Sequence, residues 1–260
     1  MKKLFFLSGI PRSGSTLLGS ILNQNEKMYV SPTSPLGDLL SEIDKILYGL
    51  TYQYTYDVDN VVKNISNSII INFYNHIEKP YVIDKHRCWP LNIESIKKFT
   101  NIEPKIIATY RPIPEAITSY ISLIERTKYM DNFIDEGLKN NHIEITNTNR
   151  CEYIWKQCLT ESYESLVYGL TNYPDSIHLI NYNDFIENPQ EEVKKIYDFL
   201  EVEEYEHNFD LIKNTCSEKK DKEWGLIGLH DIRSSLSRIS QDPIEVIGEE
   251  NVNLYSKFNL

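Results

Sequence analysis

The 260-residue chain is poor in basic residues, with 27 Lys and Arg against 38 Asp and Glu and a formal net charge of −11. Such a surplus repels phosphate backbones, so nucleic acid is excluded as a general partner. Any anionic ligand must then be held by a local basic pocket. Cysteine is scarce too. Cys88, Cys151, Cys158 and Cys216 form no C-x-x-C pair. That argues against a zinc site or a disulfide framework and for four buried or free thiols in a reducing cytosol. No apolar run approaches the roughly 20 residues that a bilayer span needs, so no transmembrane segment is expected. The opening Met1-Lys-Lys-Leu-Phe-Phe-Leu7 resembles a secretory leader, but the run breaks at Pro11 and Arg12 and no small-residue cleavage site follows. A short buried strand fits better, and a cytoplasmic protein is expected.

What is present suffices for a core. Hydrophobic residues make up 41 % of the chain and aromatics 12 %, with 18 Tyr, which excludes disorder as a whole-chain description. Neither a repeat nor a linker divides the sequence, so a single domain over residues 1–260 is expected. Short apolar runs read as buried strands at Leu4–Ser8, Met28–Ser31, Tyr81–Asp84, Lys105–Tyr110 and Ile177–Tyr182. Between them, helical spacing appears at Leu17–Asn23, Gly37–Leu47, Val58–Ile77, Ile93–Phe99, Pro114–Glu125, Glu152–Leu170 and Gln190–Leu200. Strands alternating with helices predict an α/β fold of three layers around a mostly parallel five-stranded central sheet. Residues 128–150 are polar, Asn-rich and poorly periodic, and read as a mobile excursion or lid.

The first strand, loop and helix carry the chemistry. Gly9-Ile-Pro-Arg-Ser-Gly-Ser-Thr16 follows the pattern G-x-x-x-x-G-S-T, close to the phosphate-cradling G-x-x-x-x-G-K-[ST]. Backbone N–H groups and the helix N-terminus make an anion cradle there. Ser15 stands where that pattern has its lysine, so Arg12 supplies the loop's only charge. A second cluster follows the fourth strand: Arg111 at its C-terminal end, where ligands of open α/β sheets bind, and Ser119 two turns into the next helix.

These segments together resemble the sulfotransferases that use 3′-phosphoadenosine-5′-phosphosulfate (PAPS). Gly9–Leu18 is similar to their 5′-phosphosulfate-binding loop, in the form seen in the bacterial and tyrosylprotein branches. Ile107–Tyr120 is similar to their 3′-phosphate-binding strand and helix. Tyr182-Asn-Asp-Phe-Ile-Glu-Asn-Pro189 is similar to their Y-E-D-L-x-x-x-P segment. The resemblance implies a P-loop-like topology and a cofactor site in which Arg12, Ser13, Gly14, Ser15 and Thr16 hold the 5′-phosphosulfate. It implies further that Arg111 and Ser119 hold the 3′-phosphate and that Tyr182 lies near the adenine. Arg233, in the Gly-containing run Trp224–Arg233, is the candidate to complete the 3′-phosphate pocket, with His230 in the same run read as packing. Asp84-Lys-His-Arg-Cys-Trp89 falls where the family places a catalytic lysine, so Lys85, His86 and Arg12 are the catalytic candidates. No metal is required.

The attacking acceptor hydroxyl must lose its proton, so a nearby base helps. His86, Asp38, Glu42 and Asp84 are the candidates. The tyrosylprotein branch uses a Glu after the second strand, but here that segment, Ser31-Pro-Thr-Ser-Pro35, has no carboxylate. Pleating sets Asp84 and His86 on one face and Lys85 and Arg87 on the other, unless the strand has ended. Tyr48–Tyr56 lines an acceptor site or belongs to the core. Two other readings stand beside sulfuryl transfer to a hydroxyl or amine: a small-molecule kinase and a catalytically degenerate nucleotide-binding module. The acceptor's class and the oligomeric state are not legible.

Overall fold

The structure, a computed structural model, describes residues 2–49, 57–127, 130–216, 221–237 and 241–260. Five strands form one sheet: β1 (Lys3–Gly9), β2 (Met28–Thr33), β3 (Tyr81–Lys85), β4 (Ile106–Tyr110) and β5 (Ile177–Asn181), in the order β2-β3-β1-β4-β5. Every pairing is parallel, with Phe5 beside Ile83, Val30 beside Ile83, Leu7 beside Ile107 and Ala108 beside Leu179. The strands are apolar on both faces because both are covered.

Successive side chains leave a strand on opposite sides and so feed two cores. Phe6, Val82, Ile106, Ala108 and Tyr110 enter one core. There they meet Leu36 and Leu40 of α2 (Leu36–Leu47) and Ile117 and Ile121 of α5 (Ile113–Arg126). Phe5, Leu7, Ile83 and Ile107 enter the other. That core is closed by Leu18, Ile21 and Leu22 of α1 (Ser15–Leu22) and by Val193, Ile196 and Leu200 of α10 (Pro189–Leu200). The result is the expected α/β sandwich of helices, sheet and helices. The connection after β1 leaves toward β3 and β2, and the one after β4 leaves toward β5. Their C-terminal ends therefore flank a topological switch point, the crevice where such sheets bind ligands.

Other elements match the sequence reading less closely. The helix expected through Ile77 is α3 (Val58–Phe73). It stops before Tyr74, whose buried ring instead turns its hydroxyl onto Asp84. α4 is Ile93–Phe99. Residues 130–150, which look irregular in sequence, hold α6 (Phe133–Asn140) and the start of α7 (Asn147–Ile154). Ile134 and Leu138 bury against the core, and Arg150 grips Asp135 with two bonds of 2.7 Å. Burial alone raises a carboxyl's pKa, but Arg150 and Asn132 hold the Asp135 carboxyl below its ordinary value. α7 continues through a π turn (Trp155–Leu159) into α8 (Thr160–Asn172). α9 (Tyr182–Glu187) follows β5, and α11 (Pro243–Ile247) and α12 (Glu249–Tyr255) close the chain. Of the Tyr-rich segment 48–56, residues 50–56 lie outside the described residues.

Candidate active site

A cleft of about 690 Å³ opens at the C-terminal ends of β1, β3 and β4. Its floor is the loop between β1 and α1. Gly9 leaves the strand at φ +144°, and a Cβ there would lie 2.2 Å from Thr109 Oγ1. Only glycine lets β1 and β4 approach so closely at the loop's root. Gly14 has φ +88°, and its absent Cβ would lie 2.7 Å from the Tyr182 ring. Arg12 also adopts the left-handed region, at φ 67°, a conformation that costs a non-glycine residue about 1–3 kcal/mol and persists where the surroundings enforce it. Gly14 gives α1 an N-terminus with no side-chain cap, so the first-turn N–H groups face the cleft beside Ser15 and Thr16, which line it.

The five loop residues named from sequence have different fates. Ser13 is buried, and its hydroxyl is within 2.6 Å of Ile10 O and of Thr109 Oγ1, while its N–H donates to Ile10 O. Its side chain therefore braces the loop rather than facing the cleft. Arg12 runs across the cleft: Nε donates to Ser119 Oγ at 3.1 Å and Nη1 donates to the Leu229 carbonyl. Burial lowers the Arg12 pKa, and the neighbouring Arg111 and Arg126 guanidinium groups lower it further. Such crowding of cations is unfavourable without an anion between them.

Lys85 is the last residue of β3 and is buried, with Nζ donating to Thr16 Oγ1 at 3.0 Å. The strand ends there, so the pleat no longer separates faces, and both Lys85 and His86 line the cleft. His86 Nδ1 accepts the Cys88 N–H at 3.3 Å, which places the ring proton on Nε2, facing Asp38 Oδ1 at 3.1 Å. Gly37 makes room for the ring, since a Cβ there would lie 2.6 Å from Nδ1. The other two carboxylates considered are committed elsewhere. Asp84 is 0 % exposed and accepts from Ser34, Tyr74 and Trp89 Nε1; burial raises its pKa. Glu42 is exposed and pairs with Lys45 at 2.6 Å.

On the far side of the cleft, Arg111 lies 4.6 Å over the Tyr182 ring centroid and Nε donates to Glu115 Oε2 at 3.0 Å. Glu115 Oε1 accepts from Asn183 Nδ2 at 3.1 Å, so one carboxylate fixes the guanidinium and the residue after Tyr182. Arg233 lines the cleft while exposed, its Nη1 donating to Ser237 Oγ at 3.0 Å. The run that carries it is strapped down: His230 N donates to Asp221 Oδ2 at 2.8 Å and His230 Nδ1 meets Asp221 Oδ1 at 2.5 Å. His230 thus holds a strap in place besides packing on Trp224.

Sequence reasoning passed over Glu115, Arg126 and Asp221. An acidic residue four positions after Arg111 was the one available signal; the other two are brought in by tertiary contacts. Among the described residues no group of three or more His, Cys, Asp or Glu side chains is placed to hold a metal ion, and no helix is long and apolar enough to cross a membrane.

An uncapped helix after a turn with two glycines, at the switch point of a parallel sheet and ringed by cations, is an arrangement suited to phosphate-like anions. Residues 2–243 match the Sulfotransferase domain family, and the chain belongs to it. The solved structure of retinol dehydratase in complex with androsterone and inactive cofactor PAP is similar over 98 % of this chain and 79 % of its own, at 15 % identity and TM-score 0.54. A sulfotransferase from Alicyclobacillus acidocaldarius is similar over 85 % and 88 %, at 14 % identity and TM-score 0.51. The sulfotransferase domain from the curacin biosynthetic pathway covers 100 % and 92 %, at 18 % identity and TM-score 0.49. At such identities the first two likenesses concern the fold, which is P-loop-like. No curated protein sequence matches significantly.

Proposed function

We propose that the chain transfers a sulfuryl group from PAPS to a hydroxyl acceptor, or to an amine, by in-line displacement and without a metal. One observation carries the proposal: Lys85 Nζ reaches Thr16 Oγ1 across the mouth of the uncapped α1 turn, 3.0 Å away. The loop has no lysine of its own, and β3 supplies one at the place where charge develops during transfer. The residues fit the donor. The α1 turn with Ser15 and Thr16 suits a phosphosulfate, Arg111 and Ser119 with Arg233 suit a separate phosphate, and Tyr182, which lines the cleft, suits a purine.

Bound, the donor supplies an activated sulfuryl group and a stable leaving phosphate. The remaining work belongs to this chain. Gly14–Thr16 orient the phosphosulfate with preorganised N–H donors. Lys85 neutralises charge on the oxygen that leaves sulfur as the acceptor oxygen bonds to it, as basic groups do in phosphoryl transfer. Arg12 closes the cleft over the donor through Ser119 and Leu229. The acceptor proton passes to the His86–Asp38 pair. Of the pair, His86 lines the cleft, and Asp38 Oδ1, 3.1 Å from its Nε2, holds the ring.

The test is release of 3′,5′-adenosine bisphosphate (PAP) from PAPS with a panel of phenols, alkyl alcohols and amines, with and without EDTA. EDTA-resistant release that depends on acceptor and disappears in Lys85→Ala supports the proposal. Turnover of ATP that requires Mg²⁺ would support the kinase reading instead. Tight PAP binding without release over the whole panel would point to a degenerate module.

A further inference from the structure

The last residues of the chain fold back onto the turn that carries Arg111. Tyr110, at the end of β4, donates its hydroxyl proton to Asn259 Oδ1 at 3.3 Å, and Ile113 N, the first helical N–H of α5, donates to the same oxygen at 3.0 Å. Leu260 N donates to Tyr110 Oη at 2.9 Å. One side-chain oxygen thus bridges the residues on either side of Arg111 and Pro112. Pro112 occupies the N-cap position of α5 and offers no side-chain cap, so Asn259 satisfies, from about 150 positions away, one of the first-turn N–H groups that a helix start leaves without a partner. The clasp is itself anchored. Phe258 packs its ring 4.4 Å from Trp155 and 6.0 Å from Tyr163, and Tyr255 buries beside them.

We infer that Asn259 is a positioning residue for donor binding: it sets the β4–α5 turn so that the Arg111 guanidinium stands over Tyr182 and within reach of the donor's 3′-phosphate. The inference rests on the proposed function for what Arg111 binds. Its structural half, the capping of Ile113 by Asn259, stands apart from that reading. Arg111 has two fixed points, Glu115 at its head and the turn at its root. The head contact fixes where the guanidinium points only if the backbone beneath it stays in place. A merely packed C-terminal tail would contribute stability alone. A brace contributes affinity for the 3′-phosphate with little effect on the transfer step.

The unsubstituted chain is compared with Asn259→Ala, Asn259→Asp and Tyr110→Phe. PAP affinity is measured by calorimetry, KM and kcat with PAPS, and amide exchange at Ile113. Asn259→Ala is expected to weaken PAP binding and raise the donor KM by roughly five- to tenfold, the effect of losing one cap, with kcat at saturation unchanged. Ile113 exchange should accelerate. Asn259→Asp keeps the acceptor oxygen and should restore both. Tyr110→Phe, which removes one of the two donors to Asn259, should shift KM in the same direction by less and guards against misfolding of the first variant. PAP affinity and Ile113 exchange in Asn259→Ala equal to wild type would overturn the inference. A wild-type protein that does not bind PAP would defeat the proposed function instead, and Ile113 exchange would still decide whether Asn259 braces the turn.

Discussion

The Lys85 ammonium, at the end of β3, stands 3.0 Å from Thr16 Oγ1, in the first turn of α1. These residues are 69 positions apart in sequence and on different elements, yet they meet because β1 and β3 are neighbours, with Leu7 beside Lys85. A loop of the phosphate-cradling pattern that lacks the usual lysine thereby gains an ammonium group from the adjacent strand. The charge arrives from the side of the cleft that carries His86.

Replacing Lys85 with Ala is expected to separate chemistry from binding. A cation that acts mainly on developing charge contributes about 10²–10³-fold to kcat. PAP carries no sulfuryl group, so its affinity should change by no more than about threefold. Steady-state kinetics beside PAP titration of the same preparation checks this. A parallel loss of affinity and turnover would mean that Lys85 binds phosphate in the ground state.

Gly14→Ala meets two obstacles at once, a φ of +88° and a Cβ 2.7 Å from the Tyr182 ring. Strain of this kind costs about 1–3 kcal/mol. The variant should melt several degrees lower and lose PAP affinity by more than tenfold, because the ring must move away from Arg111. Adding Tyr182→Ala should recover part of the stability but none of the affinity. Thermal melts and PAP titration of both variants give the comparison.

At His230 the strap over the cleft is held by the Asp221 carboxylate and by Asn214 Nδ2, which donates to His230 O at 3.0 Å. Asp221→Asn removes the charge that faces His230 Nδ1 and weakens the bond from His230 N. Leu229, one residue earlier, would then hold Arg12 less firmly. The expected result is faster PAP dissociation and a higher donor KM, with kcat preserved or raised where product release limits turnover. Stopped-flow displacement of PAP reads the dissociation rate directly.

His207 makes stability depend on pH. Burial lowers its pKa to about 4, and its Nε2 lies 2.9 Å from the Tyr197 hydroxyl. The fold thus favours the neutral ring, while the unfolded chain protonates near the ordinary value of about 6.5. Stability from this site is full above about pH 6.5, declines as the pH falls toward 4, and changes no further below that. His207→Gln should flatten this part of the curve of melting temperature against pH. An unchanged slope in the variant would assign the dependence to other groups.

Local chemistry made much of this protein legible before any coordinates. β1, the glycine-rich loop and α1 show in sequence because an apolar run, small residues and a periodic apolar face follow one another. What escaped depends on contacts distant in sequence. Ser13 reads as a ligand, but Thr109 of the neighbouring strand claims its hydroxyl. α7 lacks strong apolar periodicity and α6 is only two turns long, yet their start signals are present: Asn132 accepts from Asp135 N and Thr146 from Asn149 N. Asp242 before Pro243 marks α11 in the same manner, accepting from Ile244 N. Whether His86 shares a face with Lys85 turned on where β3 ends, and strand ends are set by pairing with neighbours rather than by local propensity.

The central claim is that the cleft holds PAPS, and thermal unfolding tests it most directly. Wild type and Arg111→Ala are melted with PAP and, separately, with ATP plus Mg²⁺. A ligand that binds only the folded chain raises the midpoint by mass action, adding about 2.7 kcal/mol of stability at a hundredfold excess over Kd. The expected result is a clear upward shift of the wild type with PAP, little with ATP and Mg²⁺, and loss of the PAP shift in Arg111→Ala. A shift confined to ATP with Mg²⁺, or a PAP shift that survives removal of Arg111, would contradict it.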